Sequence, residues 1–189
     1  MTRACLHAAL ATVLLAASVE AASFTLDARR LQEATAVGER SITQDDFGDE
    51  WRVRNGAGEQ VLVFTPFHRV ALAGRQAAFR KTSLKPRDGE KLVKQHDDRL
   101  ELWVELKGTR PDFARQYSAR LVTGERSVEA AFAQNERTPL RGEDGKFTAR
   151  CVYSFPIRVL TPNGKVVLIV RDADRRDVSS FTIDLAAMR

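Results

Sequence analysis

Cysteine and histidine, the residues that most often build metal sites and disulfide frameworks, are scarce: the 189-residue chain has two cysteines and three histidines. A zinc site needs three or four such ligands at characteristic spacings, and His68, His96 and Cys151 match none of them. Beyond residue 21 Cys151 stands alone, so that part of the chain cannot form an intramolecular disulfide. We therefore expect a fold that is stabilised by packing, with no metal ion and no cofactor.

Catalytic motifs are missing as well. The sequence has no G-x-S-x-G nucleophile elbow, no H-E-x-x-H pair and no glycine-rich phosphate loop between a strand and a helix. The acidic run from Asp172 to Asp177 is only superficially similar to a calcium loop, because Asp177 and Ile183 stand where an EF-hand needs Gly and Glu. These absences favour a protein that is not an enzyme, with no catalytic, metal-binding or cofactor-binding residue assigned.

Long apolar runs are also lacking: no stretch reaches the length of about 18 residues that a membrane-spanning helix needs. Residues 1–21 instead have the layout of a secretory signal, with Arg3 before an apolar segment at 8–17. Val19 and Ala21 suit the small-residue positions of a cleavage site, so we expect the mature chain to begin at Ala22. Cys5 precedes the apolar segment and cannot be a lipid-modified residue. The prediction is an exported periplasmic or extracellular protein that is not a lipoprotein and has no transmembrane segment after cleavage.

Turn residues and hydrophobic periodicity predict one α+β domain at 22–189, mainly antiparallel β. Asp27 and Gly38 suit the two ends of a helix at 28–37, and Thr65-Pro66 opens a second helix at 67–80. A third short helix is expected at 86–95. Strands are expected at 51–54, 61–65, 99–106, 117–122, 127–132, 146–155, 157–160, 165–171 and 178–185. Short strands at this spacing indicate a β-sandwich of about seven or more strands, with two or three short helices in the N-terminal half.

Three segments carry more specific expectations. The small residues of helix 67–80 predict that it lies close against a sheet or another helix. The segment 166–170 is apolar throughout, as in a central strand that is buried on both faces. Cys151 belongs to the apolar face of strand 146–155, where we expect it to be buried and inert.

Basic residues are concentrated in one stretch. Residues 68–94 contain eight basic and two acidic side chains, a net charge of +6, although the whole chain is only +5. We expect the stretch to lack the interleaved exposed aromatics that single-stranded nucleic-acid binding uses, and therefore expect no nucleic-acid partner. Such a field attracts anionic partners, here an anionic envelope component or an acidic protein surface. The candidate anion-contact residues, expected to face solvent, are Arg69, Arg80, Lys81 and Lys85.

Three functions remain open from the sequence. The leading hypothesis is a non-enzymatic binding or assembly module of the cell envelope or secretome. The first alternative is a hydrolase whose carboxylates come from distant strands and meet in one cleft. The second is a calcium-dependent adhesive domain that uses the acidic cluster Asp45, Asp46, Asp49 and Glu50.

Overall fold

Two antiparallel sheets face each other across one hydrophobic core in the computed structural model, which describes residues 24–160 and 164–189. The predicted export signal and its cleavage site lie outside the described residues. Three helices, α1 (Ala28–Arg40), α2 (Pro66–Phe79) and α3 (Pro86–Lys94), all belong to the N-terminal half. Within the described ranges no helix is long and apolar enough to cross a membrane.

The described residues form ten strands: β1 (Arg52–Arg54), β2 (Gln60–Phe64), β3 (Arg99–Gly108), β4 (Ser118–Thr123), β5 (Arg126–Glu129), β6 (Phe132–Asn135), β7 (Leu140–Arg141), β8 (Phe147–Pro156), β9 (Lys165–Arg171) and β10 (Asp177–Asp184). The larger sheet, sheet A, has the strand order β1-β2-β3-β8-β6, and β7 also pairs with β8. Sheet B has the order β10-β9-β4-β5. All these strand pairs are antiparallel. This arrangement confirms the predicted α+β sandwich.

The core follows from the alternation that the sequence shows, because successive side chains of a strand point to opposite faces. In β3 the inward residues run from Leu100 to Leu106 at every second position, and all are at most 1% exposed. On sheet B, the residues on the side of the core include Leu121, Leu168 and Ile183, which are fully buried. Each buried aliphatic side chain stabilises the fold by about 1.5–3 kcal/mol, which explains how residues 24–160 and 164–189 hold together with no disulfide among them.

Helices α1 and α2 cross at two glycines. A Cβ atom on Gly38 would lie 1.9 Å from the carbonyl oxygen of Ala71, and one on Gly74 would lie 2.8 Å from that of Thr35. The expected close approach of the small-residue face of α2 is therefore confirmed, with α1 as its partner. The predicted end of α1 at residue 37 is wrong: Gly38 lies inside the helix, because this contact, rather than helix termination, requires the missing side chain.

Three predicted strands differ from the structure. The segment 127–132 divides between two sheets: the N–H of Ala130 donates to Ala119 O on β4, and that of Ala131 donates to Ser154 O on β8. Both halves are extended, so the local pattern does not reveal the change of sheet. Residues Ile157–Val159 form a single 3₁₀ turn instead of a strand. The ladder between β3 and β8 ends at the pair Arg99 and Pro156, and one further backbone hydrogen bond follows it, from the N–H of Ile157 to Asp98 O. In β9 only one face is fully buried, while Val167 and Ile169 are half-buried.

Candidate functional site

The basic residues of helix α3 lie on the face that points to solvent. Arg87, Lys91 and Lys94 follow one another at the i, i+4 and i+7 positions of one helical face, and all three are exposed. The opposite face holds Gly89, where an added Cβ would lie 3.2 Å from the side chain of Leu31 on α1. The helix therefore packs through its small residue and presents cations to solvent.

The segment before α3 extends this charge. Arg80, Lys81 and Lys85, three of the four predicted contact residues, are exposed. Phe79 beside them is 59% exposed, so the expectation that this stretch has no exposed aromatic is wrong at this one position. The ion pairs found within the described ranges include none of these side chains and none of the cations of α3. We refer to the following six residues as the basic surface: Arg80, Lys81, Lys85, Arg87, Lys91 and Lys94.

Arg69, the fourth predicted contact residue, does not face solvent as expected. Its side chain is 10% exposed and forms an ion pair with Glu101 of β3 at 3.2 Å. The guanidinium also lies over the ring of Phe64, 5.1 Å from its centroid, and burial lowers its pKa while Glu101 opposes that shift. Helical periodicity correctly places Arg69 opposite the α1 contact, but it does not reveal that sheet A covers this side of α2.

Two of the four carboxylates in the acidic cluster that was considered for calcium form ion pairs with arginines. Asp49 pairs with Arg52. Glu50 accepts two hydrogen bonds from the Arg189 guanidinium, one from Nε–H at 2.9 Å and one from a terminal N–H at 2.8 Å. Within residues 24–160 and 164–189 no group of three potential ligands is arranged to hold a metal ion. The calcium alternative therefore gains no support from the described part of the chain.

An open cleft of about 880 Å³ separates the β3–β4 loop from the β9–β10 turn. Three arginines and three aspartates line it, so it has no net charge. Asp172 accepts the backbone N–H groups of Asp174 and Arg176, both at 2.9 Å, and the Nε–H of Arg176 at 2.8 Å. These donors, first of all the Arg176 N–H, lower the pKa of Asp172. A carboxylate held in this way is a poor general acid, and its hydrogen bonds stabilise the turn.

Cys151 is fully buried, as the alternation predicts. Burial raises the pKa of its thiol to about 11, with a hydrogen bond to Tyr153 opposing the shift. The thiolate is the reactive form of cysteine, so a buried thiol of this pKa is inert at neutral pH.

Comparison with known proteins leaves the family open. No protein-family model matches the sequence, and no curated protein matches it. Among solved structures, the chain is similar to a protein of unknown function from Burkholderia pseudomallei K96243, with 10% identity and a TM-score of 0.42 over 86% of this chain and 91% of that one. IgNAR antibody domains C1 and C3 are also similar, with identities of 9% and 17%, a TM-score of 0.31 for each, and coverage of 47% and 48% of this chain and 77% and 81% of theirs. At these scores the likenesses carry no information about function.

A second surface, on sheet A, is not among the predicted sites. On the outer face of sheet A, which points away from sheet B, Trp103 is 46% exposed and Phe132 is 52% exposed. The signal for it was present: Trp103 lies between Glu101 and Glu105 at the outward positions of an alternating strand. A large aromatic side chain at such a position has no core to fill.

Proposed function

We propose that the protein is an exported, non-enzymatic binding module that holds an anionic component of the cell envelope on its basic surface. The observation that carries this proposal is the set of six exposed cations between Arg80 and Lys94, for which no ion pair is found within the described residues. Elsewhere the arginines of the described part are commonly paired, as Arg69 is with Glu101 and Arg189 with Glu50. Unpaired cations on one surface attract anions at long range.

The number of cations on the basic surface favours an extended anionic partner over a single small anion. Each Lys or Arg side chain near an anionic membrane surface contributes about 1 kcal/mol of binding free energy. Six such residues are therefore sufficient for measurable binding to a surface that presents phosphate or carboxylate groups, whereas one small anion would contact only a few of them. Export is the second element of the proposal, and it rests on the signal-like pattern of residues 1–21.

The test is cosedimentation of the purified protein with vesicles of anionic phospholipid, with vesicles of zwitterionic phospholipid and with insoluble polygalacturonate, at low and high salt. We expect binding to one or both anionic materials that weakens at high salt, since salt screens exposed charges. Replacing Arg80, Lys81 and Lys85 by Gln should weaken binding about 100-fold.

The matched control replaces three other exposed cations, Arg126, Arg137 and Lys146, by Gln, which changes the net charge equally. This control should retain most of the affinity. Binding that ignores salt, or that the two triple variants weaken to the same extent, contradicts the proposal.

A further inference from the structure

The outer face of sheet A carries one continuous row of side chains across five strands. Residues that pair across neighbouring strands point to the same side of a sheet. The strand registers therefore align one residue from each strand, which we call the Trp103 row: Arg52, Leu62, Trp103, Val152 and Gln134. The inward neighbours Leu102 and Val104 are buried in the core, so the Trp103 row faces away from sheet B.

A slot of about 160 Å³ opens in this face beside the indole of Trp103. Leu62 and Val152 give it an apolar floor on either side of the tryptophan, and the charged and amide side chains stand at its rim. The rim residues are Arg52, Gln60, Glu105 and Arg150.

The indole is held in place before any ligand arrives. Its Nε1–H donates to Glu101 Oε1 at 2.6 Å, and its ring lies 5.0 Å from that of Phe64. Phe64 in turn stacks on His68 at 4.8 Å, and His68 stacks on Trp51 at 4.2 Å. A side chain that is already fixed loses little conformational entropy on binding, so the exposed indole face is a preorganised contact.

The rim has polar groups but no free charge. Arg52 pairs with Asp49, Arg150 pairs with Glu105 at 3.5 Å, and Gln60 donates to the same Glu105. Because each of these arginines is paired with a carboxylate, the slot favours a neutral ligand over an anion. Amide, guanidinium and carboxylate groups together offer donors and acceptors at short spacing, which suits a ligand with several hydroxyl groups.

Backbone pairing excludes a peptide strand as the occupant of this face. β2, β3 and β8 each have a hydrogen-bonded neighbour on both sides, so their ladder groups are satisfied and cannot pair with an added strand. A purely apolar partner fits poorly as well, because it would bury the rim groups without replacing their water hydrogen bonds. A neutral sugar ring has one apolar C–H face for the indole and hydroxyl groups around its edge for the rim.

We propose that the Trp103 slot binds one ring of a neutral glycan, with the apolar face of the sugar on the indole and its hydroxyl groups on Gln60, Glu105 and Arg150. This site is independent of the basic surface. It adds a second, uncharged mode of recognition, and it stands on the geometry of sheet A alone.

The experiment measures tryptophan fluorescence and binding heat while neutral hexasaccharides of glucose, mannose and N-acetylglucosamine are added separately to the purified protein. We expect at least one of them to bind, with an affinity that is the same at low and high salt. Trp103→Ala should weaken that binding about tenfold or more, which corresponds to the loss of one good aromatic contact. Glu105→Gln keeps the shape of the rim and should weaken binding less.

The matched control is Phe79→Ala, which removes another exposed aromatic ring, 59% exposed, from α2. Circular dichroism establishes that all variants are folded. The proposal is overturned if none of the hexasaccharides binds, if Trp103→Ala and Phe79→Ala bind equally well, or if the affinity falls with salt as it would for an anionic ligand. A failure of binding here leaves the anionic-partner proposal intact, since that proposal is tested with different probes and different variants.

Discussion

The buried imidazole of His68 should make the free energy of unfolding depend on pH by an amount that can be worked out from the structure. The ring is stacked between Trp51, at 4.2 Å and 6°, and Phe64, at 4.8 Å and 22°. His68 is 2% exposed. Its Nδ1 lies 3.0 Å from Val63 O, and because a carbonyl oxygen only accepts, Nδ1 carries the proton and donates. Burial lowers the pKa of His68 from 6.5 to about 4, although the Val63 hydrogen bond opposes the shift.

The direction of this pH dependence follows from which state, folded or unfolded, binds the proton. Between pH 6.5 and about 4 the unfolded chain binds a proton at His68 and the folded chain does not, so the free energy of unfolding falls as the pH is lowered through this window. One pKa unit corresponds to about 1.4 kcal/mol, so the full loss below pH 4 is about 3 kcal/mol. Between pH 7 and pH 5 the loss from this group alone is about 2 kcal/mol. That range is the cleanest one to measure, since ordinary carboxyl groups titrate below it.

The assay is urea unfolding at pH 7 and pH 5, followed by circular dichroism, for the parent protein and for His68→Asn. The asparagine amide can still donate to Val63 O but does not titrate. The variant should be less stable at pH 7 because it loses the ring stacking, yet it should lose about 2 kcal/mol less than the parent between the two pH values.

His96→Asn is the control. The His96 ring is only partly buried, and its pKa is also lowered by burial and by Arg69. This variant should keep the greater part of the pH dependence of the parent. The reasoning about His68 is refuted if the parent and His68→Asn lose the same stability between pH 7 and pH 5.

Two further predictions concern the core. Gly38→Ala should destabilise the protein by about 2 kcal/mol in urea unfolding, because overpacking against Ala71 costs about 3 kcal/mol and the gain in helix propensity returns about 1 kcal/mol. Gly56→Ala, where an added Cβ meets no heavy atom within 4 Å, should stay within about 0.5 kcal/mol of the parent, and a Gly38→Ala variant as stable as that control would disprove the close helix crossing. In protein that lacks residues 1–21, Cys151 should react with a thiol reagent only as fast as the chain unfolds, at a rate that rises with urea. Rapid labelling of the native protein would show that the thiol is accessible.

Much of the fold was predictable because its causes are local. The inward positions of β3 and β8 follow from alternation, and Thr65 at the start of α2 accepts the N–H of His68 at 3.1 Å, as its place before Pro66 indicates. The change of sheet at Ala130 was not predictable, since an extended chain has the same local pattern whichever sheet it pairs with. The predicted role of Gly38 is wrong because a glycine at a helix end and a glycine at a helix crossing look alike in a sequence.

The candidate sites divide in the same way. By itself, the sequence determined the charge of the stretch around α3, the signal-like pattern of residues 1–21, the burial of Cys151 and the outward position of Trp103, since each depends on composition or on the period of a single element. Only the tertiary structure decided that Arg69 is paired with Glu101, and that Leu62, Trp103 and Val152 lie side by side to form a slot. Those facts depend on strand register and on how α2 packs against sheet A. Register and packing are set by contacts between residues far apart in the chain, and no local pattern encodes them.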